Sequence, residues 1–200
     1  MHTLGRQEPP LTPSQEIHLL ASNRATIQRT LRGGLTTFDG PGQLTAFVVA
    51  DLKRHGLTPR CYVRLLKVAL VESCGRYGIR AFTTQDIGAC TSDERKIGAV
   101  GVHMRRNVTS FGVGLNVSTD LWWFERIVAC GLEGKETTSF EREGVVDKPI
   151  DEVGDVFAQE IAKGLGCNGV EKVSQAWLRV QGCRSGSWTP DQPCRCELMA

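Results

Sequence analysis

No stretch of the 200-residue chain holds the roughly 18–20 apolar residues that a bilayer-spanning helix requires, so the sequence predicts no integral membrane association. Charge of one sign is also missing. With 24 basic and 22 acidic residues the net charge is +2, which implies no nucleic-acid footprint. No secretory apolar segment stands near Met1, and no internal repeat or long linker divides the chain. The eight cysteines, at 61, 74, 90, 130, 167, 183, 194 and 196, lack the regular spacing of a disulfide framework. Reduced thiols in an intracellular compartment are therefore expected. Cys183, Cys194 and Cys196 lack a fourth ligand and C-x₂-C spacing, so neither a metal nor another cofactor is expected.

What is present is ordinary for a globular chain: 40% hydrophobic and 23% charged residues, long enough for one domain with a real core. The polar, proline-bearing opening "MHTLGRQEPPLTPSQ" reads as loop. Residues 26–31 read as a short strand ending at Gly33 and Gly34. After the turn at Gly40, Pro41 and Gly42, "QLTAFVVADL" is a β-branched run of strand length. Thr58 is an N-cap and Pro59 a first helical residue. Val63, Leu66, Leu70, Cys74 and Tyr77 then recur at helical spacing, ending near Gly78. Strand-like pieces follow: "GIRAFT", "KIGAVGVHM" and "SFGVGLNVS", with "DERK" as a hairpin tip. Ile150, Val153, Phe157, Ile161 and Leu165 mark a second helix ending around Gly164 or Gly166. Strands grouped with helices, without regular alternation, predict an α+β fold. From Gly182 onward periodicity is lost, so residues 182–200 are expected to be an irregular tail after a domain over 1–181.

Three features carry possible chemistry. The stretch "RGGLTTFDGPGQ" concentrates glycine, which permits either turns or close approach of a ligand to the backbone. Cys130, in "RIVACGLEG", is followed by Gly131 and Gly134; it reads as buried packing or as a thiol on an exposed loop beside open amides. Lys96 leads from the hairpin tip into small apolar residues, so its stem is either solvated or buried.

Together, "RGGLTTFDGPGQ", "RKIGAVGV", "TSFGVGLNV" and "RIVACGLEG", in this order, resemble the lipoyl(octanoyl) transferases. The likeness runs from about Thr3 to about Leu165. It implies a biotin/lipoate protein ligase-like catalytic domain, a mixed sheet flanked by helices, that starts inside the family's domain without its opening strand and helix. In that family an octanoyl group passes from octanoyl-acyl carrier protein to a lysine of lipoyl domains, those of 2-oxoacid dehydrogenase complexes and the glycine cleavage H protein, through an acyl-cysteine thioester. The resemblance makes Cys130 the nucleophile and Lys96 its partner. The acyl-binding residues implied are Arg32, Gly33, Gly34, Leu35, Thr36, Thr37, Phe38 and Asp39, then Ala99, Val100 and Gly101, then Gly112, Val113 and Gly114. The chain has no G-x-x-x-x-G-K-[ST] phosphate loop, in keeping with a thioester donor that needs no ATP. The motif wording is closer to eukaryotic, fungal members, which implies a mitochondrial location, with the cytoplasm as the alternative.

Asp39 and Phe111 stand where the family usually carries histidines, and Ala129 where it carries proline. A carboxylate and an apolar ring cannot donate and accept as imidazole does. An active octanoyltransferase is the favoured reading. The alternatives are an ATP-using ligase, disfavoured by the lack of an adenylation signature, and a weakened relative that only binds acyl carrier protein or lipoyl domains.

Overall fold

A computed structural model describes residues 1–127 and 135–173. Among these the chain runs β1 (His2–Leu4), α1 (Pro13–Leu20), β2 (Ile27–Arg29), β3 (Thr37–Phe38), β4 (Gln43–Phe47), α2 (Pro59–Arg76), β5 (Gly88–Cys90), β6 (Arg95–Arg105), β7 (Val108–Asn116), β8 (Glu136–Thr137) and α3 (Ile150–Leu165). A short 3₁₀ turn covers Leu121–Trp123. The described strands make two mixed sheets. In the small one β1 pairs with β2 in parallel and with β3 antiparallel. The larger has the order β4-β7-β6-β5, antiparallel throughout, and β8 joins β6 in parallel. This is the predicted α+β architecture.

Side-chain alternation explains the layering. In β4, Leu44 and Ala46 turn inward with Val48 just beyond, while Thr45 and Phe47 turn the other way. The inward row meets Leu115 and Ile97 from the neighbouring strands, and Leu66, Leu70, Phe157 and Ile161 from α2 and α3. Each of these large side chains is essentially removed from water, worth about 1.5–3 kcal/mol apiece. The helices thus cover one face of the large sheet and leave the other available.

Helix α2 begins as its sequence predicts: the Thr58 hydroxyl accepts from the Cys61 amide (3.2 Å) and Pro59 opens the first turn. Helix α3 ends with Gly166 in the left-handed conformation (φ 72°), which only glycine takes without cost. The β6–β7 hairpin turns through Arg106 and Asn107, both at positive φ.

Three sequence expectations are corrected. The opening segment is not loop. It contains β1 and α1, and α1 has a capping box in which the Thr12 side chain accepts from the Gln15 amide and the Gln15 side chain accepts from the Thr12 amide. "GIRAFT" forms no strand; its Phe82 makes one isolated bridge to Cys90. "QLTAFVVADL" pairs as a strand only through Phe47, because beyond it Asp51 meets Val108 as a single bridge.

Candidate active site

The open face of the large sheet is nearly bare of side chains. Register sets Thr45 opposite Gly114, and Phe47 opposite Gly112, across β4–β7. Across β6–β7, Ala99 faces Gly114 and Gly101 faces Gly112. These residues floor a cavity of about 800 Å³. Two of the glycines are required by close approach. A Cβ on Gly112 would lie 2.3 Å from the Ala46 carbonyl oxygen, and one on Gly101 would lie 2.9 Å from Cδ of Arg32.

The stretch after β2 forms the opposite wall. Gly33 donates its amide to the Val102 carbonyl (2.9 Å), which ties this wall to β6. Arg32 spans the turn, donating to the carbonyls of Leu35 (2.8 Å) and Thr3 (2.6 Å) and to the Thr3 hydroxyl (2.9 Å). That hydroxyl in turn donates to the Asp39 carboxylate at 2.7 Å. Of the residues read as acyl-binding, all but Thr36 and Phe38 line this one cavity, together with Lys96. The two exceptions follow from strand alternation about Thr37. Thr36 turns away, its amide and hydroxyl donating to the Glu8 carboxylate (2.6 and 2.7 Å). Phe38 is buried behind the wall, stacked on Trp123 at 5.0 Å and tilted against His2 at 5.3 Å. His2 itself is fully buried with neither ring nitrogen hydrogen-bonded among the described residues. Burial, and then the neighbouring charges of the Met1 amino group, Arg126 and His18, lower its pKa to about 4.

Lys96 is not solvated at a hairpin tip. It lies in β6, opposite Cys90 of β5 and Thr137 of β8, and is only 6% exposed. Its Nζ has no hydrogen-bond partner among the described residues. Gly88 makes room for it, since a Cβ there would lie 2.6 Å from Lys96 Cε. The carboxylate on this side of the cavity, Asp86, is bonded by the Lys135 ammonium and by the Thr84 hydroxyl (3.2 Å). The Lys135 hydrogen bond and charge, then the Thr84 hydrogen bond and last the charge of Lys96, hold Asp86 below the usual carboxylate range against its partial desolvation. Thr84 is itself anchored, its carbonyl accepting from Lys67 of α2 at 2.6 Å.

Asp39 makes no ion pair with Lys96 among the described residues; its carboxylate is taken by Thr3. Phe111 lines the cavity with φ at +61°, an uncommon conformation for a bulky residue, and its ring meets Phe47 at 5.9 Å. Cys130, with Ala129, Gly131 and Gly134, lies outside the described residues. Sequence reasoning missed Phe47, Asp86 and Asn116 as lining residues. For Phe47 and Asn116 the signal was available, because each sits across the β4–β7 pairing from the glycine motif or within it. Asp86 carries no local signal. Chemically, the arrangement suits an extended apolar group on a flat backbone floor, with its polar end beside a buried amine.

The lipoyl protein ligase A/B catalytic domain model matches residues 1–162. A Danio rerio protein named octanoyl-[acyl-carrier-protein]:protein N-octanoyltransferase LIPT2, mitochondrial, is 38% identical over 167 residues, which is 84% of this chain and 74% of that protein. Its Homo sapiens namesake is 46% identical over 136 residues, 66% of this chain and 58% of that protein. A Schizosaccharomyces pombe protein named "Probable octanoyltransferase" is 47% identical over 146 residues, covering 72% of this chain. The chain spans 64% of the length of that protein. Among solved structures, lipoate-protein ligase A bound with ATP superposes with a TM-score of 0.63 at 18% identity, over 90% of this chain and 76% of the other. A bi-partite lipoate protein ligase from Thermoplasma acidophilum gives 0.62 at 18% identity, over 90% and 74%. These structures share the fold. The family match over residues 1–162 and the 38–47% identities lead to one conclusion: the chain belongs to the lipoyl protein ligase A/B catalytic domain family.

Proposed function

We propose that this chain transfers an octanoyl group from octanoyl-acyl carrier protein to a lysine of lipoyl domains, through a thioester on Cys130. The observation that carries the reading is the buried Lys96 amine, without a partner among the described residues, at a cavity floored by Ala99, Gly101, Gly112 and Gly114. Residues 1–181 act as the catalytic domain and 182–200 as an appended tail. The mitochondrial names of the relatives support a mitochondrial location.

In the first step the Cys130 thiolate, its proton held by Lys96, attacks the donor carbonyl and the new C–S bond forms. The carrier thiolate departs and takes the proton of the Lys96 ammonium, which leaves Lys96 neutral. A free thiol has a pKa near ~8.5, so the Lys96 cation assists by favouring the thiolate. In the second step the acceptor lysine attacks the acyl-enzyme as its neutral amine, and Cys130 leaves as thiolate. That amine is scarce at neutral pH, with a pKa near ~10.4, and Lys96 takes the proton it sheds. The cavity walls, from Arg32 to Asp39 and along β6 and β7, hold the acyl chain.

Intact-protein mass spectrometry after mixing with octanoyl-acyl carrier protein tests the proposal. One octanoyl group should appear on the wild-type chain and be absent from Cys130→Ser. A folded wild-type sample without the adduct supports the second reading, binding without transfer, which Asp39 and Phe111 favour by replacing two imidazoles with groups that cannot both donate and accept.

A further inference from the structure

We propose that Lys135 keeps Lys96 free of a counter-ion by holding the Asp86 carboxylate, which makes Lys135 and Asp86 positioning residues for proton transfer at Lys96. The inference rests on the reaction assigned above, in which Lys96 must accept and release a proton in every turnover.

The charged groups around Lys96 support it. Asp86 lines the same cavity wall as Lys96, and the two charges act on each other. On the facing strands the neighbours carry no fixed charge: Cys90 of β5, Thr137 of β8 and Asn116 of β7. The other carboxylates nearby are occupied. Asp39 accepts from Thr3, and Glu143 accepts from Thr91, Arg95 and Thr138 at 3.1, 3.4 and 2.7 Å. Among the described residues Asp86 is the carboxylate left on the Lys96 side of the cavity, and Lys135 and Thr84 both claim its Oδ2 atom. The claim is rigid on the Asp86 side, because the Asp86 amide donates to the Thr84 hydroxyl (3.1 Å) while Lys67 holds the Thr84 carbonyl.

A carboxylate released from Lys135 would favour the charged form of the neighbouring lysine by about 1–3 pH units. Lys96 would then be a fixed ammonium, unable to take the proton that the acceptor amine sheds. The Asp86–Lys135 pair avoids this. It places a neutral dipole in the wall, and it spares the cavity two unopposed lysines.

The test reads Lys96 directly, without turnover. Carbon-13 labelling of lysine Cε, assigned with Lys96→Met, gives the Lys96 titration midpoint by NMR in the unacylated chain. In Lys135→Met, and in Lys135→Gln as a second neutral variant, the midpoint should rise by one unit or more. Lys135→Arg should leave it in place, and Lys135→Met with Asp86→Asn should return it to the wild-type position. Single-turnover octanoyl transfer to a lipoyl domain should fall about tenfold at neutral pH in Lys135→Met and recover in the double variant, one unit being a factor of ten. An unmoved midpoint in both neutral variants overturns the proposal. So does a double variant that titrates like Lys135→Met. A wild-type chain that takes up no octanoyl group, with the midpoints moving as expected, counts against the assigned reaction and leaves the electrostatic pair standing.

Discussion

His2 should make this protein acid-sensitive well above the range where carboxylates titrate. Its ring is fully buried against the edges of the stacked Phe38 and Trp123 pair, with both nitrogens unsatisfied among the described residues, and its pKa is lowered to about 4 from 6.5. The sign is fixed by where the proton goes. Above pH 6.5 the imidazole is neutral in both states and contributes nothing. Below 6.5 the unfolded chain binds a proton that the native state refuses, so stability falls with pH until about 4 and then levels. Linkage at 1.36 kcal/mol per unit gives a loss of about 2 kcal/mol between pH 7 and pH 5 from this residue alone. For a domain of this size that corresponds to a fall in Tm of about 4–8 °C.

The perturbation is His2→Phe, which keeps an aromatic ring in the cage and has nothing to protonate. Thermal or urea unfolding of both proteins at pH 7, 6 and 5 separates packing from protonation. Any packing change shifts the variant at every pH equally, whereas the proton affects the slope. Wild type should lose about 2 kcal/mol more than the variant over this range. Parallel slopes would refute the reasoning, because they would mean that water or a movement of Trp123 solvates the imidazolium at little cost.

Three other substitutions probe the site and its frame. Lys96→Met removes a buried amine without a hydrogen-bond partner among the described residues, so chemical denaturation should show a gain of about 1–3 kcal/mol while octanoyl transfer to a lipoyl domain collapses. Gly112→Ala forces a methyl against the Ala46 carbonyl at 2.3 Å, backbone that cannot swing aside. A loss of at least about 1–3 kcal/mol in urea unfolding is expected, with weakened β4–β7 amide protection in hydrogen exchange. Thr12→Ala breaks the capping box of α1 and should cost about 1 kcal/mol, read as a lowered Tm with octanoyl loading unchanged.

How far the sequence could be read depends on whether each signal is local. Thr58 and Pro59 announce α2 because capping is a contact between residues three apart, and the buried run through Leu66, Leu70 and Cys74 repeats at the helical period. Helix α1 uses the same chemistry at Thr12 and Gln15, but its eight residues and three nearby prolines hide the period. Thr36 and Phe38 fell on the wrong side of the wall because a motif names a stretch, whereas a strand sends alternate residues to opposite faces. The burial of Lys96 depends on Gly88, Cys90 and Thr137, which reach it only through pairing across β5, β6 and β8. The same holds for Asp39. Judged alone, it is a charge where the resemblance expects an imidazole. In the fold it is the end of a chain from Arg32 through the Thr3 hydroxyl, so its negative charge answers a guanidinium one step away. The carboxylate is thereby taken up by the wall, and a replacement that looked disabling in sequence leaves the buried amine without a hydrogen-bond partner among the described residues.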